Sequence, residues 1–212
     1  MLITTIQLGP NEANCYIVID EKTGSSAVID PGGYEKRLTT KLSELSIEKL
    51  ELILLTHGHY DHVLGVYELK QTMGAKIAIH KNDALCLEDD KKSLAFHVGD
   101  DSQKYIKADI SFEDGMSFAV GETLLTVMHT PGHTQGSVCF ICEAKKVIFS
   151  GDTLFKHNVG RTDLPGGSMT ELLASMNKLS ALKGNYDIYP GHGPKTTLDD
   201  ERNNNAYMGM TE

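Results

Sequence analysis

The stretch Thr56-His57-Gly58-His59-Tyr60-Asp61-His62 packs four side chains able to bind a metal, His57, His59, Asp61 and His62, into six positions. Imidazole and carboxylate are ligands for zinc, and also for iron or manganese. In extended backbone alternate residues face the same way, so His57 and His59 can converge on one ion. Asp61 and His62, at the turn into a helix, are then placed to reach another. A polar loop with coincidental histidines is the competing reading, and it fits this density poorly. Three later turns each carry one further candidate: His133 in Thr130-Pro131-Gly132-His133-Thr134, Asp152 in Ser150-Gly151-Asp152-Thr153, and His192 in Tyr189-Pro190-Gly191-His192-Gly193. Singly, a His or Asp in such a turn is more often structural, bonding the backbone or capping a helix. Together with the first cluster they complete a set.

Each candidate follows a short apolar run rich in β-branched residues, which reads as a strand ending where the polar turn begins. Strands are predicted at 15–20, 26–30, 50–56, 75–80, 123–129, 137–142, 146–150 and 186–189. Apolar residues recurring every three or four positions predict helices at 34–45, 62–73, 81–87 and 170–182. This order mixes α and β and fits two sheets forming a central sandwich, with helices over the outer faces. The acidic stretch 88–107 is less regular and is expected to be an exposed excursion bordering the site. Gly132, Gly151 and Gly191, each beside a candidate ligand, are expected to let the backbone turn tightly enough to aim it.

The chain has 212 residues, 40% hydrophobic and 23% charged, the balance of one globular domain spanning residues 1–212. Lys+Arg number 20 against 29 Asp+Glu, a formal charge of -9, and no basic run is present that could follow a phosphate backbone. Nucleic acid is therefore not an expected partner. A small anionic substrate stays compatible, because bound cations dominate the field inside a site. No segment approaches the ~20 apolar residues of a bilayer span, and the N-terminus lacks the pattern of a signal peptide, so no membrane partner and a cytoplasmic location are expected. Cys15, Cys86, Cys139 and Cys142 are too few for a disulfide scaffold and read as reduced thiols. Cys139-Phe140-Ile141-Cys142 sits in an apolar strand and reads as buried thiols rather than a redox pair. His80, His97, His129 and His157 read as surface or hydrogen-bonded histidines.

The ordered motifs resemble the metallo-β-lactamase superfamily, and the longer matches resemble its glyoxalase II-like, or hydroxyacylglutathione hydrolase-like, branch. They are Asn14-Cys15-Tyr16, Asp30-Pro31-Gly32, His57 to His62, Thr130 to Thr134, Gly151-Asp152-Thr153-Leu154-Phe155, Gly160-Arg161 and Pro190-Gly191-His192-Gly193, and they span nearly the whole chain. The resemblance implies an α+β fold, a four-layer αβ/βα sandwich with two central mixed β-sheets flanked by helices. It implies two divalent metal ions, zinc foremost, with iron or manganese as alternatives. By motif, it puts His57, His59 and His133 on the first ion and Asp61, His62 and His192 on the second, with Asp152 bridging both. Asp30 matches the family's early aspartate and would orient a metal-bound histidine or loop from behind; it reads equally as a turn residue before Pro31. Arg161 matches a basic position that helps to hold the glutathione portion of a substrate, with Lys156 nearby in the same segment; either also reads as a solvated surface cation. Larger enzymes of this branch carry a C-terminal helical domain with further glutathione contacts. This sequence ends twenty residues after His192, so the resemblance is to a short form lacking that domain.

The activity this implies is hydrolysis of a small acyl thioester, glutathione-linked or of a related acyl-thiol. Two ions about 3.5–4 Å apart share a water and lower its pKa, making a bridging hydroxide available to attack a carbonyl. Charge developing on the carbonyl oxygen then meets a fixed cation. Asp61 would orient that hydroxide as well as bind metal. A departing thiolate requires no strong general acid, which suits a sequence without an obvious spare proton donor and without a Gly-x-Ser-x-Gly elbow. Persulfide dioxygenases resemble the same branch and use a single iron at positions matching His57, His133 and Asp152. Other relatives cleave lactones, β-lactams or phosphoesters, and fold does not choose among them. A non-catalytic binding module that merely kept the fold would be expected to lose ligands, whereas all seven ligand positions are filled.

Overall fold

In the computed structural model, which describes residues 1–99 and 102–208, the first half of the chain builds one mixed sheet and its outer helices. In chain order these are β1 (Leu2–Leu8), β2 (Ala13–Ile19), β3 (Ser26–Ile29), α1 (Lys36–Glu44), β4 (Leu52–Leu54), α2 (Tyr60–Val63), α3 (Val66–Met73), β5 (Lys76–His80), α4 (Asp90–Ser93) and β6 (Ile110–Phe112). The sheet order is β1-β2-β3-β4-β5-β6, antiparallel as far as β3 and parallel from β3 onward. The second half gives β7 (Ser117–Val120), β8 (Thr123–His129), β9 (Val138–Cys142), β10 (Val147–Gly151), β11 (Leu154–Phe155), β12 (Asn158–Val159), α5 (Met169–Ser180), β13 (Asp187–Pro190), β14 (Thr196–Thr197) and α6 (Leu198–Asn204). Its sheet order is β14-β13-β10-β9-β8-β7, with β10 and β13 parallel and the other neighbours antiparallel, while β11 and β12 form a separate small hairpin.

Side-chain alternation along the strands decides the layering. In β2, Tyr16 and Val18 join one apolar cluster while Cys15 and Ile17 join another; in β9, Phe140 and Cys142 separate in the same way from Cys139 and Ile141. A strand apolar on both faces must lie between two covering layers. The cluster shared by the sheets holds Tyr16, Ile29, Leu54, Phe112, Phe118, Phe140 and Phe149. Outside the first sheet, Ile17, Val28, Ile53 and Ile77 pack against Leu38 and Leu42 of α1 and Val66 and Leu69 of α3. Outside the second, Ile141, Ile148 and Ile188 pack against Leu172, Met176 and Leu179 of α5 and Leu198 of α6. Three apolar layers between four structural ones make the expected αβ/βα sandwich.

Several elements depart from the predicted pattern. The 62–73 helix is split into α2 and α3 at Gly65, whose N–H donates to the Pro31 carbonyl at 2.9 Å; a Cβ there would meet Gly33 backbone at 2.5 Å. The segment 81–87 is a turn followed by a short 3-10 turn, Ala84–Leu87. The excursion contains α4, capped by the Asp89 side chain accepting from Lys91 N, and a 3-10 turn, Ala95–His97; residues 100 and 101 of it lie outside the described set. All four cysteines are free, as expected. Among the described residues no helix is long and apolar enough to cross a membrane.

Candidate metal centre

The pairings make β8, β10 and β13 run the same way, and β3 runs parallel to β4, so the turns after these strands collect at one edge of the sandwich. Backbone bonds lock the two sheets there: Val138 N–H donates to the Thr56 carbonyl at 2.9 Å, and Asn14 N–H to the Gly191 carbonyl at 2.7 Å. Tyr16 hydroxyl adds a 2.5 Å bond to the Pro190 carbonyl. The turn after β4 carries His57 and His59, and α2 carries Asp61 and His62. His133 follows β8, Asp152 follows β10 and His192 follows β13.

Donor atoms of these residues fall into two groups. His57, His59 and His133 bring one nitrogen each within 4.8 Å of one another, and Asp61, His62 and His192 do the same with a carboxylate oxygen and two nitrogens. His59 Nδ1 and His133 Nε2 face each other at 2.8 Å, and His62 Nε2 and His192 Nε2 at 3.3 Å. Asp152 stands between the groups: Oδ2 lies 3.6 Å from His133 Nε2 and 3.7 Å from His192 Nε2, and Oδ1 lies 3.4 Å from His62 Nε2. His57, His59, Asp61, His62 and His133 are each at least nine-tenths buried.

The hydrogen bonds behind the rings set which nitrogen carries the proton. Asp30 accepts from Thr56 N–H at 2.8 Å and from the Thr56 hydroxyl at 2.6 Å, and it faces His62 Nδ1 at 3.0 Å. A carboxylate only accepts, so the Thr56 hydroxyl donates to Asp30 and its oxygen accepts from His57 Nδ1, 3.1 Å away. His133 Nδ1 donates to the Arg161 backbone carbonyl at 2.8 Å. The inward nitrogens of His57 and His133 therefore present lone pairs. Among the described residues, two buried side-chain atoms lack a hydrogen-bond partner, His57 Nε2 and Asp152 Oδ1. Buried polar atoms are rarely left so, and converging lone pairs and carboxylate oxygens are satisfied together by a cation. The residues present therefore fit metal ions.

Electrostatics point the same way. Burial, reinforced by the neighbouring histidines, pushes His57 far down; burial and His133 take His59 down to about 3. Burial would do the same to His62, but Asp152 and Asp30 outweigh it and raise it to about 10. Burial opposes ionisation of Asp61, yet hydrogen bonds from His192 and Asn11 and the nearby His62 hold its carboxyl well below the ordinary range. Asn11 contributes a 2.9 Å bond to Asp61 Oδ2.

Residues 8–192 match the metallo-beta-lactamase superfamily. The chain belongs to that superfamily. Over 210 residues, and 98% of both chains, it is 34% identical to a protein of Haemophilus influenzae named hydroxyacylglutathione hydrolase GloC. Among solved structures it resembles the BLEG-1 B3 metallo-beta-lactamase, with a TM-score of 0.91, 33% identity, and 99% of this chain and 100% of that one covered. It also resembles TTHA1623, solved in a di-iron-bound form, with a TM-score of 0.84, 33% identity, and coverage of 97% and 100%. Membership and the donor clusters together support a metal-dependent hydrolase. Relatives at nearly equal identity carry different names, so similarity does not choose the substrate.

The edge of the sandwich that carries the donor groups opens into a cleft of about 420 Å³ lined by His59, Asp61, His133, Asp152 and His192 together with Tyr60, Leu94, His97, Arg161 and Leu164. Arg161 is on its rim, with its guanidinium exposed and forked onto Asp163 by two 2.7 Å bonds. Lys156 is exposed in the turn between β11 and β12, outside the lining. Thr56, the Arg161 carbonyl and His97 were not legible as site groups: the first two act through hydrogen bonds to ligand-type residues, and His97 reaches the cleft from the irregular excursion. Gly132 and Gly151 take positive φ, 135° and 48°, as expected of tight turns. Gly191 is needed for space instead, since a Cβ would come within 2.0 Å of Asp152 Oδ1. His157, Asp200 and Glu201 form another donor group, but His157 Nε2 already bonds Asp200 at 3.0 Å.

Proposed function

We propose that this protein is a binuclear metal-dependent hydrolase of small acyl thioesters. The observation that carries the two-metal reading is the pair of orphaned donors, His57 Nε2 in one group and Asp152 Oδ1 between the groups. His57, His59 and His133 would hold one ion and Asp61, His62 and His192 the other, with the Asp152 carboxylate within reach of both groups. When bound, two divalent ions supply Lewis-acid polarisation of a carbonyl and acidify a shared water. Imidazole and carboxylate donors favour zinc and also suit iron or manganese. Asp30 and the Arg161 carbonyl hold His62 and His133 by their outward Nδ1 atoms, which turns the Nε2 atoms of both rings toward the donor groups. Asn11 fixes Asp61 with one oxygen engaged, which leaves the rest of the carboxylate to orient a water. The thioester class is supported by the hydroxyacylglutathione hydrolase relative and by a cleft with room for a small acyl-thiol. Arg161 at the rim is the cation for an anionic thiol carrier, and Lys156 serves a longer one from outside the cleft.

The test is metal content per chain on protein purified without added metal, alongside assays of glutathione-thioester cleavage, β-lactam cleavage and oxygen uptake with a glutathione persulfide. The expected result is about two equivalents of zinc with thioester turnover. One iron per chain with persulfide-dependent oxygen consumption, or turnover confined to the β-lactam, overturns the reading.

A further inference from the structure

A carboxylate that belongs to none of the donor groups sits between the two turns that supply the first one. Asp83, 3% exposed, lies just beyond β5. Its Oδ1 accepts from Gly136 N–H at 2.8 Å, and its Oδ2 accepts from Gly58 N–H at 2.9 Å and from the Thr134 hydroxyl at 2.7 Å. Gly58 is the residue between His57 and His59, and Thr134 and Gly136 follow His133. One side chain thus ties the turn after β4 to the turn after β8, on opposite sheets. Backbone approaches it too closely for the ties to be incidental. A Cβ on Gly136 would lie 2.5 Å from Asp83 Oδ1, and one on Gly58 would lie 2.5 Å from the Cβ of Cys86, in the 3-10 turn that Asp83 opens. None of the hydrogen bonds of Asp83 reaches α2, which bears Asp61 and His62, or the turn bearing His192.

We propose that Asp83 is a positioning residue for one metal only: it sets the separation of His57 and His59 from His133, and through it the affinity of the first site. This rests on the two-metal reading above. An ordinary buried carboxylate lowers stability when removed and leaves metal binding alone. Asp20 is such a group. It is 5% exposed, accepts from the Thr123 hydroxyl at 2.8 Å and from Lys22 and Thr23 N–H at 3.0 Å each, and lies past the opposite end of β2 from Asn14.

The experiment titrates metal-stripped full-length protein with zinc against a competing chelator, reading two binding constants, with thermal unfolding on the same samples. His59→Ala identifies which constant belongs to the first site. Asp83→Asn keeps the shape but turns an NH2 toward a donor that needs an acceptor. The constant that His59→Ala abolishes is expected to fall about 10- to 100-fold in Asp83→Asn, the range for loss of a hydrogen bond behind a metal ligand, with the other constant unchanged. Asp20→Asn is expected to lower Tm with both constants intact. Thr134→Val, which removes one of the three ties, is expected to lower the same constant by less, and it serves if Asp83→Asn does not fold. Unchanged constants in both Asp83→Asn and Thr134→Val, or an equal fall at both sites, overturn the inference. Wild-type protein that takes up fewer than two equivalents overturns the two-metal reading itself.

Discussion

Replacing Asp30 by asparagine exchanges one carboxylate oxygen for an NH2 group at a position where both oxygens accept. Oδ1 takes the Thr56 N–H; Oδ2 takes the Thr56 hydroxyl and faces His62 Nδ1. The amide oxygen is claimed by the Thr56 N–H, so the NH2 group points at the hydroxyl and at His62. Thr56 must then accept from the amide and turn its own proton toward His57 Nδ1, and His62 Nδ1 must accept as well. The His57 proton moves to Nε2, and His62 keeps a proton on Nε2 alone; both atoms face the donor clusters. The backbone adds no strain, because Asp30 has φ 51° and asparagine tolerates the left-handed region. Each affected ion should lose about 10- to 100-fold in affinity, or about 1.4–2.8 kcal/mol. His57 and His62 belong to different groups, so both binding constants fall. That separates this variant from Asp83→Asn, which lowers one. The assay is the chelator-competed zinc titration, with imidazole nitrogen NMR of the stripped protein to locate the ring protons. Wild-type constants at both sites, or a ring proton that stays on Nδ1 of His57 in Asp30→Asn, would refute the argument.

Gly191→Ala puts a methyl 2.0 Å from Asp152 Oδ1 and 2.8 Å from His62 Cε1, so it is expected to displace the bridging carboxylate and cut metal uptake; full stoichiometry in the purified variant contradicts this. Arg161→Ala should raise KM for an anionic thioester with kcat nearly unchanged, because the carbonyl that holds His133 is backbone and survives the substitution. Asp163→Asn, which frees the guanidinium, should lower KM, and steady-state kinetics that show the opposite signs remove Arg161 from substrate binding. In chelator-stripped protein stability should peak near pH 6.5. Below it, buried His57 and His59 stay neutral in the fold, His59 down to about 3, while the unfolded chain takes up protons. Above it, folded His62 keeps a proton up to about 10 that the unfolded chain releases, so the stability it contributes is lost as pH rises through that window. A Tm that only rises or only falls across that range contradicts the assignment of these shifts.

The candidate donor residues could be picked out because a strand that ends in a polar turn announces itself twice, by β-branched apolar residues and by the glycine that follows. Thr123 to His129 running into Thr130-Pro131-Gly132-His133 is the clearest case, and its strand bounds are those predicted. Elements without that contrast escaped. β1 alternates apolar with Thr4, Thr5 and Gln7 on an exposed edge, and α6, with sequence Leu-Asp-Asp-Glu-Arg-Asn-Asn, buries Leu198 and Glu201 but shows no apolar stripe. The split between α2 and α3 was hidden for another reason: Gly65 is required by the backbone of Pro31 and Gly33, a contact distant in sequence. The groups that orient the rings were hidden in the same way. Thr56 reads as the end of a strand and Asp83 as part of a short helix until three-dimensional neighbours give them partners.

Neither sheet owns a complete donor group. His57 and His59 come from the first sheet and His133 from the second; Asp61 and His62 come from the first and His192 from the second. An ion held by either group would act as a rivet through the seam of the sandwich, joining chain segments more than seventy residues apart. Such a link can close only after the two halves have docked, so ion binding draws its free energy into holding them together. Prising the sheets apart would then release the ions, and a chelator should lower the unfolding temperature of both halves together while the stripped protein stays folded.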